Sequence, residues 1–403
     1  MKKFGVVLFG LFAVSVALAQ DSVKIQKPFF SRMAEKGILN HMDVGVNVGS
    51  LGIGVDVAVP VGNYVRLRAG YNYMPAIKIH SNFNSIETRE GSIKNYINKI
   101  DDIDAKFAKY GIDINDPKFA TYKEMLDNFR SMEKKDYVTM SLKPNLHQFK
   151  FLVDVMPFKH NKHWSFTAGF FVGPSDVGYA DNVSEDELYL NGINTYNALY
   201  VDYCLKQGIE TTGPNGKTQK IQLQSNGPRS DLFYRNGMAA FRLGKFDDGS
   251  TAMMVPSGDN SVQAVMEVNK FRPYLGFGYS THLSRNRRWN MTVDGGVLFL
   301  FGSPSVYVDN VFKIDESELV LDEKRNYVSG IGFDNYDNYY GDIVRYNPKT
   351  YDYEYVGDEL LRQHVDIVHD LHDVPGKVGK MVDLISKFKV YPNVSVTFSY
   401  RLY

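Results

Sequence analysis

A cluster of histidines and aspartates near the C-terminus carries the residue types best suited to metal chemistry. On a helix, Asp366 and His369 are three residues apart and His369 and Asp373 are four apart, so their side chains would share one face. The spacing matches no known zinc motif, and a solvated helix face is the alternative that we favour. The predicted weak metal ligands are therefore Asp366, His369, His372 and Asp373, and we expect no bound cofactor.

A tyrosine-rich segment precedes this cluster, with F-D-N-Y-D-N-Y-Y-G over residues 333–341. Exposed tyrosines beside Asn and Asp resemble recognition surfaces, because rigid aromatic side chains contribute contact area at a low entropy cost. Internal packing of the same tyrosines is the alternative interpretation. The candidate binding residues are Tyr336, Tyr339, Tyr340, Tyr351 and Tyr353.

Eight segments alternate apolar and polar residues, which predicts β-strands with one apolar and one polar face. The C-terminal segment shows the pattern well, with Val396 and Phe398 on one face and Ser395 and Thr397 on the other. Most of these segments are near the length of about 9–11 residues that a tilted strand needs to cross a bilayer. The segments are Met42–Val48, Leu51–Val59, Tyr64–Tyr73, Gln148–Met156, Trp164–Val172, Pro273–Thr281, Trp289–Phe301 and Val394–Tyr403.

Charged residues on the polar faces of these strands balance one another, with four acids against four bases. A barrel of eight strands has an interior that its side chains just fill. We therefore predict a salt-bridged, closed lumen and not an ion-selective pore, although single charges at the rims in water are an alternative. The predicted lumen network is Asp43, Asp56, Arg66, Arg68, Lys150, Asp154, Asp294 and Arg401.

The connections between the strands differ sharply in length. Pro60–Asn63, Lys159–His163 and Ser284–Arg288 are tight and polar, and the first hairpin around Gly49–Leu51 is an exception, because it is short although it lies on the side of the long loops. Short turns on one side and long loops on the other are typical of outer-membrane barrels. A soluble β-sandwich is the alternative, but it has no reason to place its long connections at one end. The long insertions cover about 74–147, 173–272 and 302–389.

The insertions contain elements of their own. Extended patches at Ser261–Val268 and Val306–Ile314 are expected to prolong strands beyond the membrane, and the three loops are expected to form an ordered cap at the cell surface. Apolar residues at helical spacing predict several helices. These cover 93–110, 119–129, a segment behind a Ser184–Glu187 capping box, and Leu360–Leu371 ending before Pro375.

The N-terminus reads as a secretory signal peptide over residues 1–19. A basic start at Met1-Lys2-Lys3 precedes an apolar run and an A-x-A site at Ala17-Leu18-Ala19. An uncleaved anchor helix is the alternative. We expect residues 20–41 to form a periplasmic N-terminal segment and residues 42–403 to form the barrel with its insertions.

Composition narrows the function classes. The 46 basic and 46 acidic residues cancel, which disfavours nucleic-acid binding. Cys204 is the single cysteine, so an internal disulfide is excluded. The mean hydropathy of -0.29 does not argue against a membrane, because barrel strands hide their apolar residues in alternation.

Several stretches resemble a known family. The chain resembles the small eight-stranded outer-membrane barrels of Gram-negative bacteria, the OmpA/OmpX type, and particularly a group common in Bacteroides. The resemblance covers the strands, about a third of the chain, and implies an outer-membrane location and assembly by machinery that recognises the last strand. It rests on Lys150–Phe158, Thr167–Gly173, Arg272–Gly278, Val293–Pro304 and the terminal S-Y-R-L-Y.

We therefore predict an all-β transmembrane protein, an eight-stranded antiparallel up-and-down β-barrel with periplasmic termini and long, partly helical extracellular loops. Its expected role is structural or binding at the cell surface, with outer-membrane lipid and an unknown extracellular ligand or protein as partners. A narrow porin-like channel or transporter is the first alternative. A surface enzyme is the second, but it needs a nucleophile beside His80, His147 or the 364–373 cluster, and no spacing identifies one, so we expect no enzymatic activity.

Overall fold

A computed structural model describes residues 39–88, 91–92, 113, 115–131, 137–200, 209–212, 218–221, 239–314, 344–347, 352–355 and 364–402. Its helices are α1 (Ala120–Ser131), α2 (Glu187–Tyr200) and α3 (Gly376–Ile385). None of the helices in these ranges is long and apolar enough to cross a membrane. The strands are β1 (Asp43–Gly49), β2 (Gly52–Pro60), β3 (Val65–Tyr73), β4 (Ile79–Thr88), β5 (Gly91–Ser92), β6 (Tyr137–Pro144), β7 (His147–Val155), β8 (Trp164–Val172), β9 (Asp176–Asn182), β10 (Ile209–Thr212), β11 (Thr218–Ile221), β12 (Ala240–Lys245), β13 (Thr251–Met254), β14 (Gln263–Glu267), β15 (Phe271–His282), β16 (Trp289–Phe299), β17 (Ser305–Val308), β18 (Val311–Ile314), β19 (Val344–Asn347), β20 (Asp352–Tyr355), β21 (Val365–Asp366) and β22 (Val390–Arg401).

Eight strands form a closed antiparallel barrel in the order β1-β2-β3-β7-β8-β15-β16-β22. The C-terminal strand β22 closes the barrel by pairing with β1, with Asp43 opposite Arg401 and Gly49 opposite Ser395. The predicted fold class is confirmed, and the predicted strands coincide with the observed ones to within a few residues. The largest shift is in β22, which begins at Val390 and not at Val394.

Burial in the barrel is the reverse of that in a soluble protein. Asp154 is fully buried and faces inward, whereas Phe166 on the outer surface is 60% exposed. The outer surface carries a continuous set of exposed Val, Phe and Leu side chains, among them Val46, Phe277 and Phe398. Such an apolar outside and polar inside is the pattern of a barrel whose solvent is lipid.

A second sheet continues the barrel at one end, and we call the part of the chain that it organises the cap. Strands β4, β6, β9, β14 and β17 lie directly beyond β3, β7, β8, β15 and β16, and the sheet order is β18-β13-β12-β4-β6-β9-β14-β17-β21, with β5 on β4. Reciprocal backbone hydrogen bonds of 2.8 Å between Lys245 and His372 bring the chain after β21 back to β12. The cap sheet therefore curls round on itself, and the predicted extension of strands near Ser261–Val268 and Val306–Ile314 corresponds to β14, β17 and β18.

The cap has an apolar interior of the ordinary kind. Helices α1 and α2 pack against each other, and Leu126, Ile193 and Phe241 are all fully buried. Helix α1 falls on the predicted segment 119–129, whereas the helix predicted over 93–110 lies outside the described residues. The predicted capping box of Ser184 and Glu187 is wrong, because Ser184 lies inside a short 3-10 turn that precedes α2, and the N-cap of that turn is Val183.

The helix predicted over Leu360–Leu371 is also wrong. In the described part, residues 364–371, the chain forms the short strand β21 and a turn. Asp366 Oδ1 accepts a hydrogen bond from the N–H of Val368, a local bond that competes with the helix. His364 has a φ of 59° and Asp373 one of 54°, so the backbone leaves the helical region at both ends of the segment. Pro375 does not end a helix but precedes α3.

Candidate functional site: the barrel lumen and the barrel–cap junction

Arg68 is the centre of the lumen network. Its Nη1 lies 2.7 Å from Asp294 Oδ2 and its Nη2 lies 2.8 Å from Asp154 Oδ1. Asp154 also accepts hydrogen bonds from Arg66 Nε and Thr167 Oγ1, both at 2.8 Å. Because Arg68, Asp154 and Asp294 are buried, each charge has a partner where water is excluded, which is the condition for keeping charges in an interior.

Two further pairs complete the predicted set of eight. Lys150 Nζ lies 2.7 Å from Asp56 Oδ1, and both side chains are buried. Arg401 Nε lies 3.0 Å from Asp43 Oδ1, across the seam between β22 and β1. The structure thus brings all eight residues into ion pairs. One of these pairs, Asp43–Arg401, joins the first and last strands where the barrel closes.

Glycine makes room for the Asp56–Lys150 pair. A Cβ on Gly70 would lie 2.2 Å from Asp56 Oδ1 and 2.9 Å from Lys150 Cε. Both distances are shorter than van der Waals contact, so any larger residue at position 70 would push the Asp56 and Lys150 side chains aside. The small residues of the polar faces are therefore part of the network.

An apolar layer lies nearer the cap. It consists of the buried side chains of Leu51, Leu152, Phe171, Tyr274 and Leu298, with Tyr391 packed against it. Phe171 and Tyr274 meet edge to face, with ring centroids 5.5 Å apart. Sequence reasoning missed this layer because it treated the inner face as polar, although Leu152 and Tyr274 already had the inward phase in the alternation.

Arg272 at the outer end of the lumen was also missed. It is buried, yet Nε donates to the Asn269 carbonyl at 2.8 Å and Nη1 to Gln148 Oε1 at 3.0 Å. Nη2 donates to the Pro174 carbonyl. Three neutral oxygens therefore bind this guanidinium. The sequence could have indicated Arg272 as a lumen residue, because it directly precedes the predicted strand start at Pro273 and has the inward phase of the alternation.

The four candidate metal ligands do not converge. Asp366 contacts His369 and backbone N–H groups, while His372 Nδ1 lies 3.2 Å from Asp373 Oδ2. No group of three or more His, Cys, Asp or Glu side chains in the described ranges is arranged to hold a metal ion. The shared helix face that the prediction needed does not exist, because residues 364–371 are not helical.

His369 has a different neighbour on its other side. Its Nε2 lies 2.9 Å from Ser303 Oγ, at the point where β16 leaves the barrel and β17 enters the cap. Of the candidate tyrosines, Tyr353 lies in β20, which pairs with β19, and Tyr336, Tyr339, Tyr340 and Tyr351 lie outside the described residues.

Comparison with known proteins does not identify a family for this chain. No family model matches the chain, and no curated protein matches it. Solved structures that are similar to the chain include the crystal structures of CarO and CarO2 of Acinetobacter baumannii. Both have 11% sequence identity and a TM-score of 0.31, and the alignments cover 89% and 90% of this chain and 96% and 99% of those chains. A TM-score of this size transfers nothing to this chain.

Proposed function

We propose that this chain is an outer-membrane barrel with a closed lumen, whose cap faces the outside of the cell and has a structural or binding role there. The observation that carries the proposal is the filled lumen, where buried ion pairs and an apolar layer occupy the interior. An open pore needs a continuous path for water. Paired charges and packed aromatic rings inside a narrow barrel of eight strands support a lumen without such a path.

The exposed apolar surface supports the membrane location, and the distribution of connections supports the orientation. The turns 61–64, 156–163 and 283–288 lie at one end of the barrel, and the cap lies at the other. In outer-membrane barrels the short turns are periplasmic. The OmpA/OmpX-type and Bacteroides-like character, and assembly through β22, belong to this proposal as well.

Conductance measurement tests the closed lumen. The full chain, refolded and inserted into a planar lipid bilayer, should give no steady ionic current. Insertion is verified in the same preparation by protection of the barrel from added protease. A reproducible ohmic current from inserted protein would overturn the closed lumen and favour the porin-like alternative.

A further inference from the structure

Ser303, His369 and Asp366 meet at the junction of barrel and cap. Ser303 lies between β16 and β17, Asp366 lies in β21, which pairs with β17, and His369 lies in the turn after β21. Ser303 Oγ is 2.9 Å from His369 Nε2, and His369 Nδ1 is 2.6 Å from Asp366 Oδ2. A hydroxyl and a carboxylate therefore contact opposite nitrogens of one imidazole ring.

The carboxylate of Asp366 is held in place and charged. Its Oδ1 accepts hydrogen bonds from the N–H groups of Val368 at 2.9 Å and Val306 at 3.1 Å. Burial raises the pKa of Asp366, but hydrogen bonds from Ser305, His369 and these two N–H groups outweigh burial, so the pKa lies below its ordinary value. Asp366 is thus ionised at neutral pH.

The charged carboxylate decides which imidazole nitrogen carries the proton. An ionised carboxylate only accepts hydrogen bonds, so Nδ1 of His369 donates to Asp366. Nε2 then has a free lone pair, which accepts the hydroxyl proton of Ser303. This is the arrangement by which a histidine activates a serine nucleophile while an aspartate orients the histidine.

We propose that Ser303, His369 and Asp366 form a serine-hydrolase site that cleaves carboxylic esters of membrane lipid. Ser303 is partly exposed and the His369 side chain is 45% exposed, so a substrate can reach them. Phe301, two residues before Ser303, is 69% exposed at the end of the lipid-facing surface. Because two residues of extended chain span at most about 7 Å, the Cα atom of Ser303 lies no farther than that from the Cα atom of Phe301.

The site goes beyond the proposed surface role, and it rests on the proposed membrane location for its choice of substrate. It also changes the expectation that the chain has no enzymatic activity. That expectation held only while no nucleophile stood beside the 364–373 cluster, and the fold places Ser303 there.

The reaction follows from the proton positions. Ser303 Oγ attacks the ester carbonyl carbon while its proton passes to Nε2 of His369, and the tetrahedral intermediate collapses by breaking the carbon–oxygen bond to the alcohol. The alcohol leaves with the proton from Nε2, and the acyl group remains on Oγ. Water then attacks the acyl carbon, gives one proton to Nε2, and releases the carboxylic acid as Ser303 regains its proton. The sum is ester plus water giving acid plus alcohol.

The test uses the full chain, refolded in detergent, with a fluorophosphonate probe, a p-nitrophenyl acyl ester and a short-chain phosphatidylcholine. We expect a covalent probe adduct on Ser303, identified by peptide mass spectrometry, and hydrolysis of both esters. Ser303→Ala should lose the adduct, and Ser303→Ala and His369→Gln should each lose hydrolysis by about 10³-fold or more. Asp366→Asn should also lower hydrolysis, because Nδ1 no longer has an obligate acceptor. His364→Gln is the matched control in the same segment, since that ring is 76% exposed and contacts neither Ser303 nor Asp366.

Three outcomes would count against the proposal. Lack of an adduct on Ser303 in folded protein, with folding judged by heat-modifiable gel mobility, overturns the site. Hydrolysis that persists in Ser303→Ala overturns it too. Cleavage of the p-nitrophenyl ester without cleavage of phosphatidylcholine overturns the lipid substrate. None of these variants lies in the lumen, so the conductance test of the proposed function stands or fails separately.

Discussion

The contribution of a lumen charge is best measured at the Asp56–Lys150 pair, because its two members contact each other at 2.7 Å and both are buried. Asp56→Leu or Lys150→Met alone leaves an unpaired buried charge and should lower the free energy of unfolding by about 3–5 kcal/mol. The double variant should lose less than the sum. Urea unfolding in lipid vesicles measures the free energy of unfolding of the unaltered protein, the two single variants and the double variant, which together form a double-mutant cycle. Losses that add would contradict the pair, and the exposed Asp127–Arg130 pair, expected to contribute at most about 1 kcal/mol, is the control.

A substitution at Gly70 tests whether the lumen network needs the space that this glycine leaves. Gly70→Ala places a Cβ 2.2 Å from Asp56 Oδ1, so the ion pair must move apart and the free energy of unfolding should fall by about 1–3 kcal/mol. Gly295→Ala is the matched control, since the nearest atom to its added Cβ is Phe277 Cζ at 4.0 Å. Equal stability of the two variants in urea unfolding would show that space at Gly70 does not limit the network.

At the scale of elements, the strands and two loop helices followed from the sequence, whereas the helix predicted over Leu360–Leu371 does not form in its described part and α3 was not predicted. A period of two fixes both the strand and its inward face, so Arg68 and Asp154 were assignable to the lumen from their neighbours alone. The prediction around Asp366 failed because Ile367 and Leu371 have the i,i+4 spacing of a helix but are buried in the cap from a turn that follows a strand. Burial driven by distant parts of the chain overrides local periodicity there. The Ser303–His369 contact joins residues 66 positions apart, and no local pattern contains it.

Helix α3 has a buried face, an exposed apolar face and an exposed charged face. The order of these faces around the helix predicts its orientation at the membrane surface. Val378 and Val382 are buried, Met381 and Leu384 form an exposed apolar line, and Lys380 and Asp383 form an exposed charged line. The helix packs against β4 and leads into β22, beside the lipid-facing surface. We expect the apolar line to enter the lipid and the charged line to face water. The exposed Lys387, just after the end of the helix, adds a further charge.

Fluorescent labels at neighbouring positions test this placement. In a Cys204→Ser background, a label on Leu384→Cys should be quenched by nitroxide lipids in reconstituted vesicles, and a label on Asp383→Cys should not. Phe277→Cys on the barrel surface serves as the reference for full lipid contact, because Phe277 is 58% exposed. Equal quenching at 383 and 384 would contradict the interfacial orientation, whereas no quenching at 277 would contradict the membrane location itself.

At the scale of the whole molecule, the barrel and the cap bury different kinds of side chain, even where a cap strand is followed directly by a barrel strand. In the barrel, Lys150 points inward and Phe149 is 57% exposed, whereas a few residues earlier, in β6, Val138 and Met140 are buried. The barrel pairs its inner charges and exposes apolar side chains on its outer surface, which lipid would cover in the proposed membrane location. The cap buries apolar side chains from water, as a soluble domain does. The two parts therefore derive their stability from different solvents.

This difference predicts that the cap can be loosened without opening the barrel. Phe241 is fully buried in β12, so Phe241→Ala should cost the cap about 3–5 kcal/mol through lost burial and a cavity. Protease added outside reconstituted vesicles should then cut the cap faster than in the unaltered protein, while the barrel keeps its heat-modifiable gel mobility. Phe277→Ala is the control with a residue of the same size on the lipid-facing surface, and it should leave the cap cutting rate unchanged. Joint loss of cap protection and barrel mobility in Phe241→Ala would show instead that the two parts unfold as one unit.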